Sequence, residues 1–130
     1  MIRHIQVFLV FFLCSIESFA QYQDTYLFET IDITHGLSLN SVQTIEKDKN
    51  GFMWFGTEDG LNRYDGLQFK QFRHDPMDST SLNSSSVYSM FMDSKDNLWV
   101  GTYVSGLNKY IDETETFQRY TLTHKEDLSL

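Results

Sequence analysis

"NGFMWFGTEDGLNRYDG", from Asn50 to Gly66, is written again further along the chain as "DNLWVGTYVSGLNKYID", from Asp96 to Asp112. Setting Val42 over Val87, Ile45 over Met90, Asp48 over Asp93, Met53 over Leu98 and Trp54 over Trp99 gives one constant spacing of 45, which carries Gly56-Thr57 onto Gly101-Thr102. One extra residue then enters a turn, and Gly60-Leu61-Asn62-Arg63-Tyr64 meets Gly106-Leu107-Asn108-Lys109-Tyr110 at 46. Phe69 and Phe72 meet Phe117 and Tyr120 at 48. The insertions fall between apolar segments, where turns belong, so the duplication is structural.

A period of about 45, rich in aromatic and β-branched residues, is that of a four-stranded propeller blade. Helical repeats of similar period need long stretches of 3.6-residue periodicity, and the chain has none. "SVQTIEK" instead alternates with period two, and "FMWFGT" is apolar without alternation, as a strand covered on both faces must be. The turn residues agree. Asp48 to Gly51 and Asp93 to Asn97 suit tight hairpins, as do Glu58-Asp59-Gly60 and Ser105-Gly106. Gly56 and Gly101 fall inside strands, where a missing side chain lets a neighbour come close. The expected strands are roughly 41–47, 52–57, 61–65 and 68–73 in one blade, and 86–92, 97–102, 107–111 and 116–121 in the next.

The first twenty residues stand apart. A mildly basic head, the apolar run Val7 to Cys14 and small residues at Ser18 and Ala20 form a secretory signal cleaved after Ala20. The run is shorter than the roughly 20 apolar residues a spanning helix needs. Cys14 is the chain's single cysteine. It belongs to the signal, since a lipidation site would have a small residue where Leu13 stands. The exported chain then holds together without disulfides. Its net charge stays at −8, which argues against nucleic acid or an anionic membrane surface as partner.

"FETIDITH" (Phe28 to His35) aligns with "FQRYTLTH" (Phe117 to His124) at a spacing of 89, and Leu37-Ser38-Leu39 matches Leu128-Ser129-Leu130. The chain therefore opens on an orphan outer strand, of the kind that completes the last blade of a closed propeller and removes a sheet edge. The expected organisation is a signal peptide over 1–20, an N-terminal segment with the orphan strand over 21–40, blades over 41–80 and 81–124, and the start of a further repeat over 125–130. The fold class is all-β: two four-stranded antiparallel propeller blades plus the orphan closing strand, an incomplete propeller. Closed propellers carry about four to eight blades, so the expectation is the N-terminal part of a longer protein, or a fragment that must pair with something.

The pattern running from "GLSLNSV" through "GFMWFGT.DGLNRYDG" to "DNLWVGT..GLNKY" resembles the two-component regulator propeller repeat over residues 26–130. The resemblance implies the periplasmic sensor region of a hybrid two-component histidine kinase of Bacteroidota, whose relatives join tandem propellers through a membrane helix to a cytoplasmic kinase. It further implies an inner-membrane parent acting as a homodimer. It implies an oligosaccharide ligand that switches on polysaccharide-degradation genes, and the remaining blades of a longer chain as partners. None of the kinase, receiver or DNA-binding sequence occurs here, so this chain is expected to be non-catalytic and to hold no cofactor or metal.

The residues themselves offer little chemistry. Asp48-Lys49-Asn50-Gly51 and its counterpart at Asp93 hint at a calcium loop, but the ligand spacing is wrong and turn closure is the better reading. His35, His74 and His124 each follow a fourth strand and suit loops rather than a shared metal site. The carboxylate pairs Glu58-Asp59 and Asp112-Glu113 lie in turns. Phosphate-loop, nucleophile-elbow and zinc signatures do not occur. Trp54, Gly56 and Gly60, with their counterparts Trp99, Gly101 and Gly106, form the structural frame, the tryptophans packing between blades. Ligand contact is expected at turn residues that differ between copies within that frame: Glu58, Asp59 and Tyr103, the last stacking on a sugar face. Two other readings stand beside the sensor: a fragment of a secreted propeller lyase or glycosidase, and a truncated remnant without function.

Overall fold

A computed structural model describes residues 26–120. It contains two four-stranded antiparallel sheets. The first runs β1 (Val42–Lys47), β2 (Met53–Thr57), β3 (Gly60–Tyr64) and β4 (Phe69–Phe72). The second runs β5 (Val87–Met92), β6 (Leu98–Thr102), β7 (Gly106–Ile111) and β8 (Thr116–Tyr120). Within each sheet the strands lie side by side in chain order. All eight expected blade strands are present with ends moved by a residue or so. The sheets are open and stack face to face, the geometry of neighbouring propeller blades.

The seam between the blades is the core. Blade 1 presents Trp54, Leu61 and Phe72 to it, and blade 2 presents Val87, Met90, Val100, Tyr110 and Phe117; all are buried. Trp54 lies edge-on to Tyr110 at 4.8 Å, and Phe72 edge-on to Phe117 at 5.5 Å. Such ring pairs contribute about 0.5–1.5 kcal/mol each beyond the area they bury. A polar clamp closes the outer part of the seam. Arg63 donates to the Tyr110 hydroxyl at 3.0 Å and to Glu115 at 2.8 Å, and Lys70 pairs with the same carboxylate. These contacts hold the Glu115 carboxyl below its ordinary range, Lys70 contributing first and Arg63 second.

Gly56 explains itself here. A Cβ at that position would lie 2.6 Å from Val87 Cγ1 and 2.7 Å from Thr44 Cγ2, so the absent side chain is the slot into which the next blade's valine fits.

Each blade is also fixed internally by the same two polar devices. Asp48 Oδ1 accepts the amides of Asn50 and Phe52, while Oδ2 accepts the Trp54 indole N–H at 2.8 Å. Asp93 repeats this with Lys95, Asn97 and the Trp99 indole at 2.9 Å. One aspartate thus closes the first hairpin and sets the tryptophan's orientation. The Trp99 indole, followed by the Asn97 amides, holds the Asp93 carboxyl far below the usual carboxylate range. The second device is buried. Asn62 Nδ2 donates to Ser38 Oγ and to the Phe55 carbonyl, its Oδ1 accepts the Ser38 amide, and Thr57 Oγ1 lies 2.8 Å from Ser38 Oγ. Asn108, Asn83, Val100 and Thr102 repeat the arrangement in blade 2. Among the described residues no buried side-chain polar atom lacks a partner. An unpaired one would cost about 1–3 kcal/mol.

One expectation needs correction. Phe28 to Asp32 form no strand, and Ile33–His35 form a single 3-10 turn capped by Asp32. An outer strand exists only by hydrogen bonding to an inner neighbour, and the described residues offer this segment none; Phe28 is 95% exposed. Leu37 is buried and Ser38 joins the Asn62 network, so the segment before β1 packs onto blade 1. The signal segment 1–20, His124 and the repeat start at 125–130 lie outside the described residues.

Gly56→Ala is expected to destabilise the chain by roughly 1–3 kcal/mol through overpacking against Val87. At Gly101 the nearest atom to an added Cβ is Ser89 Oγ, which can rotate away. Thermal melts should therefore rank Gly101→Ala well above Gly56→Ala in stability; equal losses would contradict the seam geometry.

Candidate functional site

The strands place the hairpin turns at two ends of the sheets. The β1–β2, β3–β4, β5–β6 and β7–β8 turns share one end, and the β2–β3 and β6–β7 turns share the other. Of the residues expected to meet a ligand, Glu58, Asp59 and Tyr103 all lie at the second end.

Both innermost strands carry a bulge there. The pairing register shifts between Val42 and Thr44 in blade 1 and between Val87 and Ser89 in blade 2. A bulge takes one side chain out of the alternation and re-aims it. The re-aimed residues are Gln43 and Tyr88, and both reach the same carboxylate: Gln43 Nε2 and Tyr88 Oη each donate to Glu58 Oε1 at 3.4 Å. Tyr103, from the β6–β7 turn of the same blade, packs on Tyr88 with ring centroids 5.3 Å apart and planes tilted by 31°. Glu58, Gln43, Tyr88 and Tyr103 thus form one cluster across the seam, with Tyr88 47% and Tyr103 61% exposed.

The Glu58 charge beside Tyr88, with burial second, pushes its hydroxyl above the ordinary phenol range. Like any phenol, Tyr88 is protonated and able to donate in the neutral range. The turn that presents Tyr103 is strained: Val104 sits at φ 60, a left-handed conformation that a β-branched residue rarely adopts. Such strain persists only where the surroundings impose it, and it concentrates at functional loops. The Tyr103 amide donates to the Ser86 carbonyl at 2.9 Å, which anchors the turn's first residue.

Asp59 is not brought into this cluster. Its carboxylate pairs with Arg73 at 2.8 Å, and its carbonyl accepts from the same guanidinium. Gln43 and Tyr88 were missed by the sequence reading. The signal that marked Tyr103 also marks them, since Gln43 and Tyr88 differ at equivalent positions inside a retained frame.

The other expected sites resolve as structure. Asp48 and Asp93 are occupied by turn amides and indoles. His35 sits against Asp32, and His74 Nδ1 donates to the Leu82 carbonyl at 2.7 Å. Among the described residues no group of three His, Cys, Asp or Glu side chains could hold a metal ion. A cleft of about 300 Å³ opens at the first end, lined in part by Lys49, Asp96, Lys109, Asp112 and Glu113. Its charges are mixed, and Asp96 already faces Lys49, so nothing in it converges on a ligand. Glu58-Asp59 and Asp112-Glu113 lie at opposite ends of the sheets.

Residues 36–59 and 81–104 each match the family model described as "Two component regulator propeller". The two matches are offset by the same 45 residues as the sequence duplication. Over 83 residues the chain is 46% identical to histidine kinase P4 of Formosa agariphila, a match covering 62% of this chain and 6% of that protein. Among solved structures it is similar to the extracellular domain assigned to a hybrid two-component system of B. thetaiotaomicron, at 33% identity and a TM-score of 0.70, over 78% of this chain and 14% of that one. A second extracellular domain from the same organism, also assigned to a hybrid two-component system, is 24% identical with a TM-score of 0.57 over 74% of this chain. At that identity the likeness shows the fold alone. The chain spans well under a fifth of the length of each of these proteins.

Replacing Glu58 by Gln removes the charge that raises the Tyr88 pKa. The Tyr88 titration, followed by NMR on ring-labelled tyrosine, is expected to move down toward the ordinary tyrosine value. An unchanged titration would mean that Glu58 and Tyr88 do not meet.

Proposed function

We propose that this chain, whose two blades carry the two-component regulator propeller repeat, is part of a periplasmic ligand-sensing propeller of a hybrid sensor histidine kinase, and that its ligand is an oligosaccharide. The observation that carries the reading is the exposed Tyr88–Tyr103 pair with Glu58 and Gln43 beside it. Aromatic faces supply the apolar surface on which the C–H face of a sugar ring stacks, and a carboxylate and an amide at the rim accept and donate to its hydroxyls. The likeness to a histidine kinase and to extracellular domains of two-component systems supports the same assignment of role and side of the membrane.

The cluster also favours one class of saccharide. Glu58 sits at its centre and the chain carries a net charge of −8, so uronic or sulfated sugars meet repulsion while neutral ones do not. Because the four residues come from both blades, a sugar seated on them bridges the seam. Its binding energy then biases whichever packing of the blades fits it best, which is the only way a ligand shifts a conformational equilibrium. In the parent protein that bias would be read across the membrane by the kinase.

Titration calorimetry of the intact protein with neutral and with acidic oligosaccharides tests this. Neutral saccharides are expected to bind. Tyr103→Ala and Tyr88→Ala should each weaken binding about tenfold, a loss of roughly 1.4 kcal/mol, while Tyr103→Phe retains it. Tighter binding of acidic saccharides, or indifference to Tyr103→Ala, would refute the reading.

A further inference from the structure

Glu58 reaches Tyr88 from the tip of a tight turn, and that tip is held from two sides. Thr57 holds the inner side: its Oγ1 accepts the Asp59 amide at 3.1 Å and donates to the Gly60 carbonyl at 3.0 Å. Arg73, the residue after β4, holds the outer side. Its Nε donates to the Asp59 carbonyl at 2.9 Å, its Nη2 to the Asp59 carboxylate at 2.8 Å and its Nη1 to Gln71 Oε1 at 2.6 Å. With all three nitrogens engaged, the guanidinium has one orientation. Gln71 is fixed in turn, since its amide donates to the Gly36 carbonyl at 2.8 Å. The arginine stem lies against the same turn, and a Cβ added at Gly60 would come within 3.2 Å of Arg73 Cγ.

The matching turn of blade 2 is held by other means. At the spacing of 48 the counterpart of Arg73 is Thr121, which has no guanidinium. The β6–β7 turn rests instead on the segment that enters its blade: the Tyr103 amide donates to the Ser86 carbonyl, and Asn83 Nδ2 to the Ser105 carbonyl. Of the two turns, the one that carries Glu58 has the ionic grip. An exposed ion pair adds little to stability, so the value of this one lies in orientation. A planar fork bonded to the carbonyl and the carboxylate of one residue fixes that residue's backbone and side chain together, which a lysine cannot do.

We infer that Arg73 is a positioning residue of the ligand cluster: by gripping Asp59 at both its carbonyl and its carboxylate, it sets the adjacent Glu58 against Tyr88 and keeps the turn's second carboxylate out of the cluster. The ligand part of this inference rests on the saccharide reading above, whereas the grip itself stands on the contacts alone. The backbone that Arg73 holds is the backbone from which Glu58 projects. The contacts of Glu58 with Gln43 and Tyr88 are both 3.4 Å long, too long to fix a turn unaided. With Arg73 in place, one carboxylate faces the ligand and the other is neutralised at its side.

The test follows the Tyr88 titration by NMR on ring-labelled Arg73→Leu protein, with no ligand present. Glu58 acts foremost on that hydroxyl, followed by burial and Tyr103. Losing a nearby positive charge raises a phenol's titration, whereas losing Glu58 lowers it, so the two causes differ in sign. A downward shift is expected, and it should vanish when Glu58→Gln is already present. A titration that stays in place or rises overturns the inference. Arg73→Lys keeps the charge without the fork and should give a smaller downward shift. It carries the test alone if the Trp54 and Trp99 indole resonances show that Arg73→Leu has not folded, and no shift in it then overturns the inference. Calorimetry with a neutral oligosaccharide forms the second arm. Arg73→Leu is expected to weaken binding about threefold or more, and binding that ignores the substitution counts against a positioning role. If the unsubstituted protein binds no saccharide, the saccharide reading fails, while the titration still decides whether Arg73 sets Glu58.

Discussion

A sheet that is apolar on both faces holds together only when both faces are covered, and everything else in this chain follows from that constraint. Each blade is built to be sandwiched. Its second strand has no polar side to turn to water, and its tryptophan, leucine and outer-strand aromatic are placed to meet the next blade's tyrosine, phenylalanine and valine. Only one such meeting occurs within residues 26–120, between Trp54, Leu61 and Phe72 on one side and Val87, Tyr110 and Phe117 on the other. The contrast between Trp54 and Trp99 isolates the effect of the neighbour, because the two share their hairpin, their aspartate and their hydrogen bond, and differ in what lies above them.

Polar groups decide which sheet forms. The Asp48 and Asp93 carboxylates tie a turn to an indole six residues on, so that the hairpin and the orientation of the seam's largest side chain are set together. The Asn62 and Asn108 side chains reach the segment that enters each blade, joining Ser38 or Asn83 to the third strand. Buried amides and hydroxyls in such a network are costly unless every partner is in place, so the network selects one register and rejects slipped ones. The ligand cluster lies outside this frame. Gln43 and Tyr88 owe their position to bulges, and Tyr103 to a turn one residue longer than its counterpart, so the frame repeats while the cluster it presents does not.

Much of this was legible in the sequence because the chain states its fold twice. The spacing of 45 located the blades, the turn residues located the strands to within a residue, and the in-strand Gly56 announced a close approach that proved to be Val87. The orphan strand was not borne out over the described residues, since local pattern marks a strand without supplying the neighbour it needs. The Asn62 and Asn108 networks passed unnoticed because an asparagine inside a strand looks, in one sequence, like any polar residue on the solvent side. Tyr88 and Gln43 differ between the copies as the ligand-turn residues do, but the bulges that bring them to Glu58 leave no compositional mark. Asp59 looked equivalent to its neighbour Glu58, and only the Arg73 pairing separates them.

The account turns on the claim that equivalent tryptophans differ because one has a neighbouring blade and the other does not. Fluorescence of single-tryptophan forms, Trp99→Phe leaving Trp54 and Trp54→Phe leaving Trp99, measures this directly. The expected result is blue-shifted emission from Trp54 with little quenching by acrylamide, and red-shifted, readily quenched emission from Trp99. Indistinguishable emission and quenching from the two would contradict a seam that covers Trp54 alone.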